Sequence, residues 1–282
     1  MTSTKSVIAI CTRNRPQDLE RCIRACISAN AEGRSIYVVD SSDTKDSFYV
    51  CQNLSNATTE VFYFQSEPGL TLQRNKLISQ LPKSTEIVHF IDDDSVVSDS
   101  YFDKIEEVFL KNPLAVGVGG RILNLPKQTS RPLDLMFGVA SKRQGVVLKS
   151  GVNILNFDGK LRKVDWLSGC SMSFRYSIFS SCSFDEKRSG NGIGEDVDFC
   201  LRAGKHGPIL WTPDATQMHI QSPINRLSYK ANRKKVLDHR LRLAQDQLAG
   251  VNAASVYIAF YYEEFKSNIR PFIKRLVGKR GN

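Results

Sequence analysis

The chain of 282 residues is 41% hydrophobic and 24% charged, enough to bury one sizeable core, and its composition excludes a disordered or collagen-like polymer. Its net charge of +10 favours anionic partners, whether nucleotides, nucleic acid or an anionic membrane surface. Seven cysteines without regular spacing argue against a disulfide framework and for buried free thiols, which pack like small hydrophobes.

The first half alternates strands and helices. The apolar run Val7–Cys11 reads as a buried parallel strand. The loop 12–15 follows, with Pro16 suited to a helix first turn. Leu19, Cys22, Ile23, Cys26 and Ile27 then recur at helical spacing. Further strands are expected at Ile36–Val39, Val61–Phe64 and Ile87–Ile91, and helices at Phe48–Leu54, Leu70–Leu81 and Tyr101–Leu110. Such alternation implies βαβ units and a mostly parallel sheet flanked by helices, with ligands at its carboxyl edge. The polar clusters 12–15, 40–43 and 92–94 all fall on that edge.

Beyond this, Ala115–Gly120 reads as a strand, residues 124–163 as loop, Trp166–Phe174 as a strand and Glu195–Ala203 as a helix. Ile209–Trp211 reads as a strand that ends in a Pro213 turn. The segment 188–194 holds three glycines and should be mobile. From about residue 222 the pattern is helical and basic, so the expected division is a catalytic domain over 1–221 and a helical C-terminal extension over 222–282. Within it, Ile269, Phe272, Ile273, Leu276 and Val277 share a helical face among Arg270, Lys274, Arg275, Lys279 and Arg280, the pattern of a helix lying on an anionic membrane. The alternative is a helix packed on the protein with its charges in water. A secretory leader and a spanning apolar stretch are both missing from the pattern, so the expectation is a cytoplasmic protein with, at most, a peripheral hold on the inner membrane face.

Two acidic clusters carry the chemistry. Asp92-Asp93-Asp94 follows an apolar strand, and three adjacent carboxylates repel one another unless a cation neutralises them. Mg²⁺ or Mn²⁺ suits oxygen ligands and pairs one or two carboxylates with substrate phosphates. The alternative is a solvated turn capping the next helix. Glu195 and Asp196 begin a helix after a glycine loop, placed either to take a proton from a hydroxyl or merely to complement the helix dipole. His219 becomes a ligand candidate only if the fold brings it to the acidic cluster.

Taken together, six segments resemble the family 2 glycosyltransferases, inverting enzymes of the GT-A fold. They are Ile10–Pro16, Val38–Asp43, Pro68–Lys76, Phe90–Asp94 at the family's DXD position, Trp166–Arg175 and Gly194–Asp198, in the family's order across roughly residues 6–220. The resemblance implies a nucleotide-sugar donor and a glycan or lipid-linked glycan acceptor, with a place in surface glycan or polysaccharide synthesis. By it, Thr12 and Asp40 would hold the nucleobase, Asp40 accepting from a uracil-type imide. Arg74 would lie near base or phosphates, Asp92 near the ribose, and Arg13 and Asp93 among the donor contacts. Gly169 would admit the donor sugar, Asp94 would bind the metal with His219 completing its shell, and Asp196, or less favourably Glu195, would be the catalytic base. Cys11 and the bulky Leu70–Gln73 depart from the family pattern without removing a functional group.

Two other classes compete. A nucleotidyltransferase also needs a nucleotide and a divalent ion, but the loop after the first strand lacks glycine. A nucleic-acid-binding protein would use the basic tail, but no binding motif accompanies it, so nucleic acid is disfavoured as a partner.

Overall fold

The computed structural model describes residues 5–30, 33–125, 131–156, 158–188, 190, 192–222, 224 and 228–278, with side chains described to residue 269. The chain divides into two compact units, one of residues 1–127 and 156–227, the other of 128–155 and 228–282. The stretch 128–155, expected within the first domain, thus groups with the C-terminal helices. The division also sorts charge. The second unit carries 16 basic and 5 acidic residues, a net of +11, and the first 23 and 24, a net of −1.

In the first unit, the strands β1 (Ser6–Thr12), β2 (Ile36–Asp40), β3 (Val61–Gln65) and β4 (Ile87–Asp92) lie parallel in the order β3-β2-β1-β4. Their register sets Thr12 beside Asp40 and Cys11 beside Asp92. Both faces of β1 are covered, which is why it reads as an unbroken apolar run. The helices α1 (Pro16–Ser28), α2 (Asp46–Leu54), α3 (Leu70–Gln80) and α4 (Tyr101–Lys111) connect these strands or flank the sheet. Leu19, Cys22, Ile23 and Cys26 of α1 are fully buried against Ile8, Ile10, Ile36 and Val38, as their helical spacing requires. All seven cysteines are free, and six are buried.

The remaining strands make the sheet mixed. β5 is Ser95–Val97, β6 Gly117–Ile122, β7 Arg162–Val164, β8 Ser171–Arg175 and β9 Ile209–His219. Among the described residues nine strands form one sheet, continuing β4-β8-β6-β9-β5 with β7 also on β9. β8 is antiparallel to both β4 and β6, while β6 and β9 are parallel. Two expectations are corrected. β9 does not end at Pro213 but runs through it to His219. The β6 register jumps from Trp211 to Thr216 there, and a bulge tolerates a residue without an N–H. Trp166–Cys170 is not strand: the Leu167 N–H goes to Cys200, the Gly169 N–H and carbonyl to Asp196 and Arg74, and the Cys170 carbonyl to Gln217.

In the second unit, α5 (Pro132–Met136), α7 (Tyr229–Gln245) and α8 (Ala253–Gly278) are held by ion pairs. α6 (Glu195–Ala203) belongs to the first unit. Arg233 pairs with Glu263 and Glu264 and lies over the Phe260 ring, and Arg240 pairs with Glu263. Tyr262 stacks on Phe137 and donates to Asp134. Val256 and Ala259 are buried, while Tyr257, Ile258, Tyr261 and Phe265 stay exposed. The apolar and basic residues expected to share a face over 270–280 lie outside the described side chains.

Candidate active site

The strand ends bring the first acidic cluster together with the loop after β1. Thr12 closes β1, and its hydroxyl donates to Asp93 at 2.7 Å. Arg15, in the same loop, pairs with Asp93 at 3.1 Å and approaches Asp94 at 3.7 Å. Burial pushes the Asp93 carboxyl up to about 7, against the pull of Arg15 and Thr12. Arg13 is exposed on this loop.

Asp94 and His219 meet. His219 ends β9, its backbone bonded both ways by the Asn124 side chain. Its Nε2 lies 2.9 Å from Asp94 Oδ1, and Asp94 Oδ2 accepts from the Ser222 N–H. Burial would raise the Asp94 carboxyl, but His219, Ser222 and Arg15 outweigh it and hold it at about 2. Burial likewise works against a charged His219, and Asp94 with Cys170 reverses it, lifting the imidazole to about 11. One ligand atom each from Asp92, Cys170 and His219 also falls within 4.8 Å of the others. The carboxylate and imidazole donors of Asp94 and His219, with Asp92 near the same imidazole, are of the kind that fits a divalent ion.

Arg74 ties the first acidic cluster to the second. It projects from α3 into a buried slot between the rings of Phe90 and Phe184. One end of its guanidinium contacts Glu195; the other lies 3.4 Å from Asp92 and donates to the Gly169 carbonyl at 3.3 Å. Burial opposes this charge, but Glu195 and Asp92 outweigh it and keep the guanidinium protonated.

Glu195 and Asp196 open α6, where Gly194 takes the left-handed φ of 73° that starts the turn. Their settings differ. Glu195 is buried and engaged by Arg74. Asp196 is half-buried and accepts only from backbone donors in the bonds described, Gly169 N–H at 3.0 Å and Val197 N–H at 2.8 Å. Burial raises its carboxyl above the usual range, the two amides opposing. A Cβ on Gly169 would sit 3.0 Å from both Arg74 Nη2 and Glu195 Oε1, so only glycine fits without displacing that pair.

Asp40 stands apart. It is fully buried, with Oδ1 accepting from Ser42 and Oδ2 from Tyr63 at 3.0 Å. The carboxylate expected at the nucleobase is thus closed off by its own neighbours as the side chains stand. Gln73, noted only for its bulk, donates to the carbonyls of Thr12 and Val39 and pins the ends of β1 and β2 together. Arg15 also reaches the acidic cluster, and its signal in the sequence is Pro16, which turns the chain into α1 directly after Arg15.

The chain belongs to glycosyl transferase family 2, whose model matches residues 7–181, more than half of its length. Glu195, Asp196 and His219 lie beyond that span. No curated protein sequence matches the chain. Among solved structures, GalNAc-T7 with UDP, GalNAc and Mn²⁺ superposes with a TM-score of 0.63 at 14% identity, covering 86% of this chain and 48% of that one. The mannosyltransferase PcManGT from Pyrobaculum calidifontis, in complex with GDP-Man and Mn²⁺, gives 0.61 at 14% identity, covering 93% and 70%. TarS of S. aureus gives 0.55 at 14%, covering 85% and 43%. The chain spans about half the length of the first of these, and at such identity the likeness shows the fold alone: the α/β architecture that the motifs implied.

Proposed function

We propose that the protein is an inverting glycosyltransferase that moves a sugar from a nucleoside-diphosphate sugar, of UDP type, to an acceptor hydroxyl. The observation that carries this reading is the convergence of Asp92, Asp94, His219 and Asp196 around Arg74 and Gly169 at one sheet edge. Family membership and the UDP–Mn²⁺ and GDP-Man–Mn²⁺ complexes of the structural neighbours support it.

Asp196 takes the proton of the acceptor hydroxyl. The acceptor oxygen forms a bond to the anomeric carbon as the bond to the diphosphate breaks from the opposite face, and the diphosphate leaves with the electron pair. Asp196 suits this role because backbone amides orient it without neutralising it, whereas Glu195 is committed to Arg74. Arg74 holds Asp92 and the Gly169 carbonyl in place, and the missing side chain at Gly169 leaves room for the Arg74–Glu195 pair beside the donor sugar. Thr12, Arg13, Arg15 and Asp93 line the nucleotide side, and Asp40 reaches the base only when Ser42 or Tyr63 gives way. A Mg²⁺ or Mn²⁺ ion held by Asp94 and His219 would neutralise charge on the departing diphosphate.

The acceptor is a glycan or lipid-linked glycan, and the reaction belongs to surface-glycan or polysaccharide synthesis on the cytoplasmic side. The second unit supports a peripheral membrane location: it holds the whole positive excess and exposes Tyr257, Ile258, Tyr261 and Phe265 along α8. No described helix is long and apolar enough to cross a membrane. The catalytic reading is tested by thermal unfolding with UDP, GDP, ADP and CDP, each with Mn²⁺. One diphosphate should raise the midpoint in a metal-dependent way, and indifference to all four would overturn the reading.

A further inference from the structure

His219 Nε2 meets Asp94, and a ring nitrogen of the same imidazole lies within 4.8 Å of ligand atoms of Asp92 and Cys170. Cys170 is not placed there casually. Its carbonyl accepts from Gln217 Nε2 at 2.7 Å, and Gln217 lies two residues before His219 on β9, so both project from the same face of that strand. The Asn124 side chain bonds the N–H and the carbonyl of His219 at 3.0 and 2.7 Å, fixing the strand end that delivers the imidazole. Asp92 comes from the end of β4 and is steered by Arg74. The thiol is buried, while Asp92 and His219 are half-buried, so the trio opens to solvent through its harder donors.

We propose that Cys170 is an inner-sphere donor to the ion that Asp94 and His219 would hold, and that Cys170, with Asp92 beside it, makes this site prefer thiophilic divalent ions, such as Co²⁺, Zn²⁺ and Cd²⁺, over Mg²⁺. This deepens the reading above and rests on it, since it presumes that a divalent ion occupies this corner. The chemistry follows from the donor set. Thiolate is soft and imidazole borderline, whereas Mg²⁺ takes oxygen ligands and sheds water reluctantly. Ligand atoms around a four-coordinate ion with nitrogen and sulfur donors stand roughly 3.5 Å apart. The three ligand atoms stand within 4.8 Å of one another. On binding, the thiol proton leaves to solvent and the sulfur pair forms the bond to the ion, with no change of oxidation state.

The test is Co²⁺ titration of the full chain by absorption spectroscopy, with and without UDP, on the wild type and on Cys170→Ser, Cys170→Ala and His219→Ala. The wild type should develop a thiolate-to-cobalt charge-transfer band in the near ultraviolet. Both Cys170 variants should lose the band, although six other cysteines remain, and His219→Ala should lose it too. Competition with the wild type should show Cd²⁺ displacing Co²⁺ at concentrations at least 100-fold below Mg²⁺, with the margin falling at least 10-fold in Cys170→Ser. Saturable, His219-dependent Co²⁺ binding without that band would overturn the thiolate and leave the glycosyltransferase reading standing. Absence of Co²⁺ binding, with or without UDP, would overturn both. If the substituted chains fail to fold, Co²⁺ bound to the wild type without the band still overturns the thiolate, and Cys11→Ser, which should keep the band, checks that it does not arise from the other cysteine beside Asp92.

Discussion

The backbone N–H of Gly169 donates to the Asp196 carboxylate across 3.0 Å, joining the loop before β8 to the first turn of α6. The same residue gives its carbonyl to Arg74. One glycine without a side chain therefore registers the proposed base against the arginine that organises the acidic cluster. Gly169→Ala would push a methyl group onto Arg74 and Glu195, a buried pair with little room to yield. We expect a stability loss of ~1–3 kcal/mol, as for other overpacked sites, and at least a 10-fold fall in transfer rate. Urea unfolding with initial-rate assays measures both, and an unchanged rate would remove Gly169 from the site.

The two carboxylates of α6 should separate cleanly. Asp196→Asn is expected to slow transfer by ~10²-fold or more, the range of general-base catalysis, with nucleotide affinity and stability little changed. Glu195→Gln is expected to act mainly through folding, because it strips Arg74 of its buried partner; breaking such a pair costs ~3–5 kcal/mol. A folded, inactive Glu195→Gln beside an active Asp196→Asn would mean that the base had been assigned to the wrong residue.

Beneath the sheet, Glu106 accepts from Ser6, Arg34 and His89. Burial works against its charge, yet His89, Arg34 and Ser6 hold the carboxyl down at about 2, from an ordinary 4.5. A depressed carboxyl stabilises the fold above its unfolded value and loses that contribution as pH falls toward its folded one. The shift corresponds to about 3 kcal/mol lost between roughly pH 5 and 2. Burial also depresses His89, which adds a loss of the same sign below about 6.5. Urea unfolding between pH 7 and 3 should show a steady decline, flattened in Glu106→Gln; parallel slopes would contradict this.

Asp94→Ala should abolish transfer and weaken binding of the nucleoside diphosphate, measured by calorimetry with Mn²⁺. Unaltered affinity would place the ion elsewhere.

For the second unit, the full chain should sediment with anionic vesicles at low salt and release at high salt, and a chain cut before Ser267 should bind less. Equal binding by both, or none by either, would mean that residues 267–282 give no hold on the membrane.

Much of this was legible in the sequence where burial is two-sided or periodic. β1 and β4 read as strands because both their faces are covered, and α1 reads as a helix because its buried residues recur every three or four positions. The three-residue strands β5 and β7 were not legible, since so short a segment carries no period. Trp166–Phe174 misled because its first half spends backbone groups on Arg74 and Asp196, partners far off in sequence. The closure of Asp40 by Tyr63 was equally invisible, for it depends on the β2–β3 pairing. Likewise, Pro213 looked like a terminus because a bulge opposite Gly119–Arg121 leaves no mark in composition.

The most direct test of the central claim is the anomeric configuration of the product, read by proton NMR from a reaction with the nucleotide sugar that the unfolding screen selects, run with Mn²⁺ and with excess chelator. The account predicts a product of configuration opposite to the donor, formed only when metal is present. A product that retains the donor configuration, or full turnover in chelator, would contradict it.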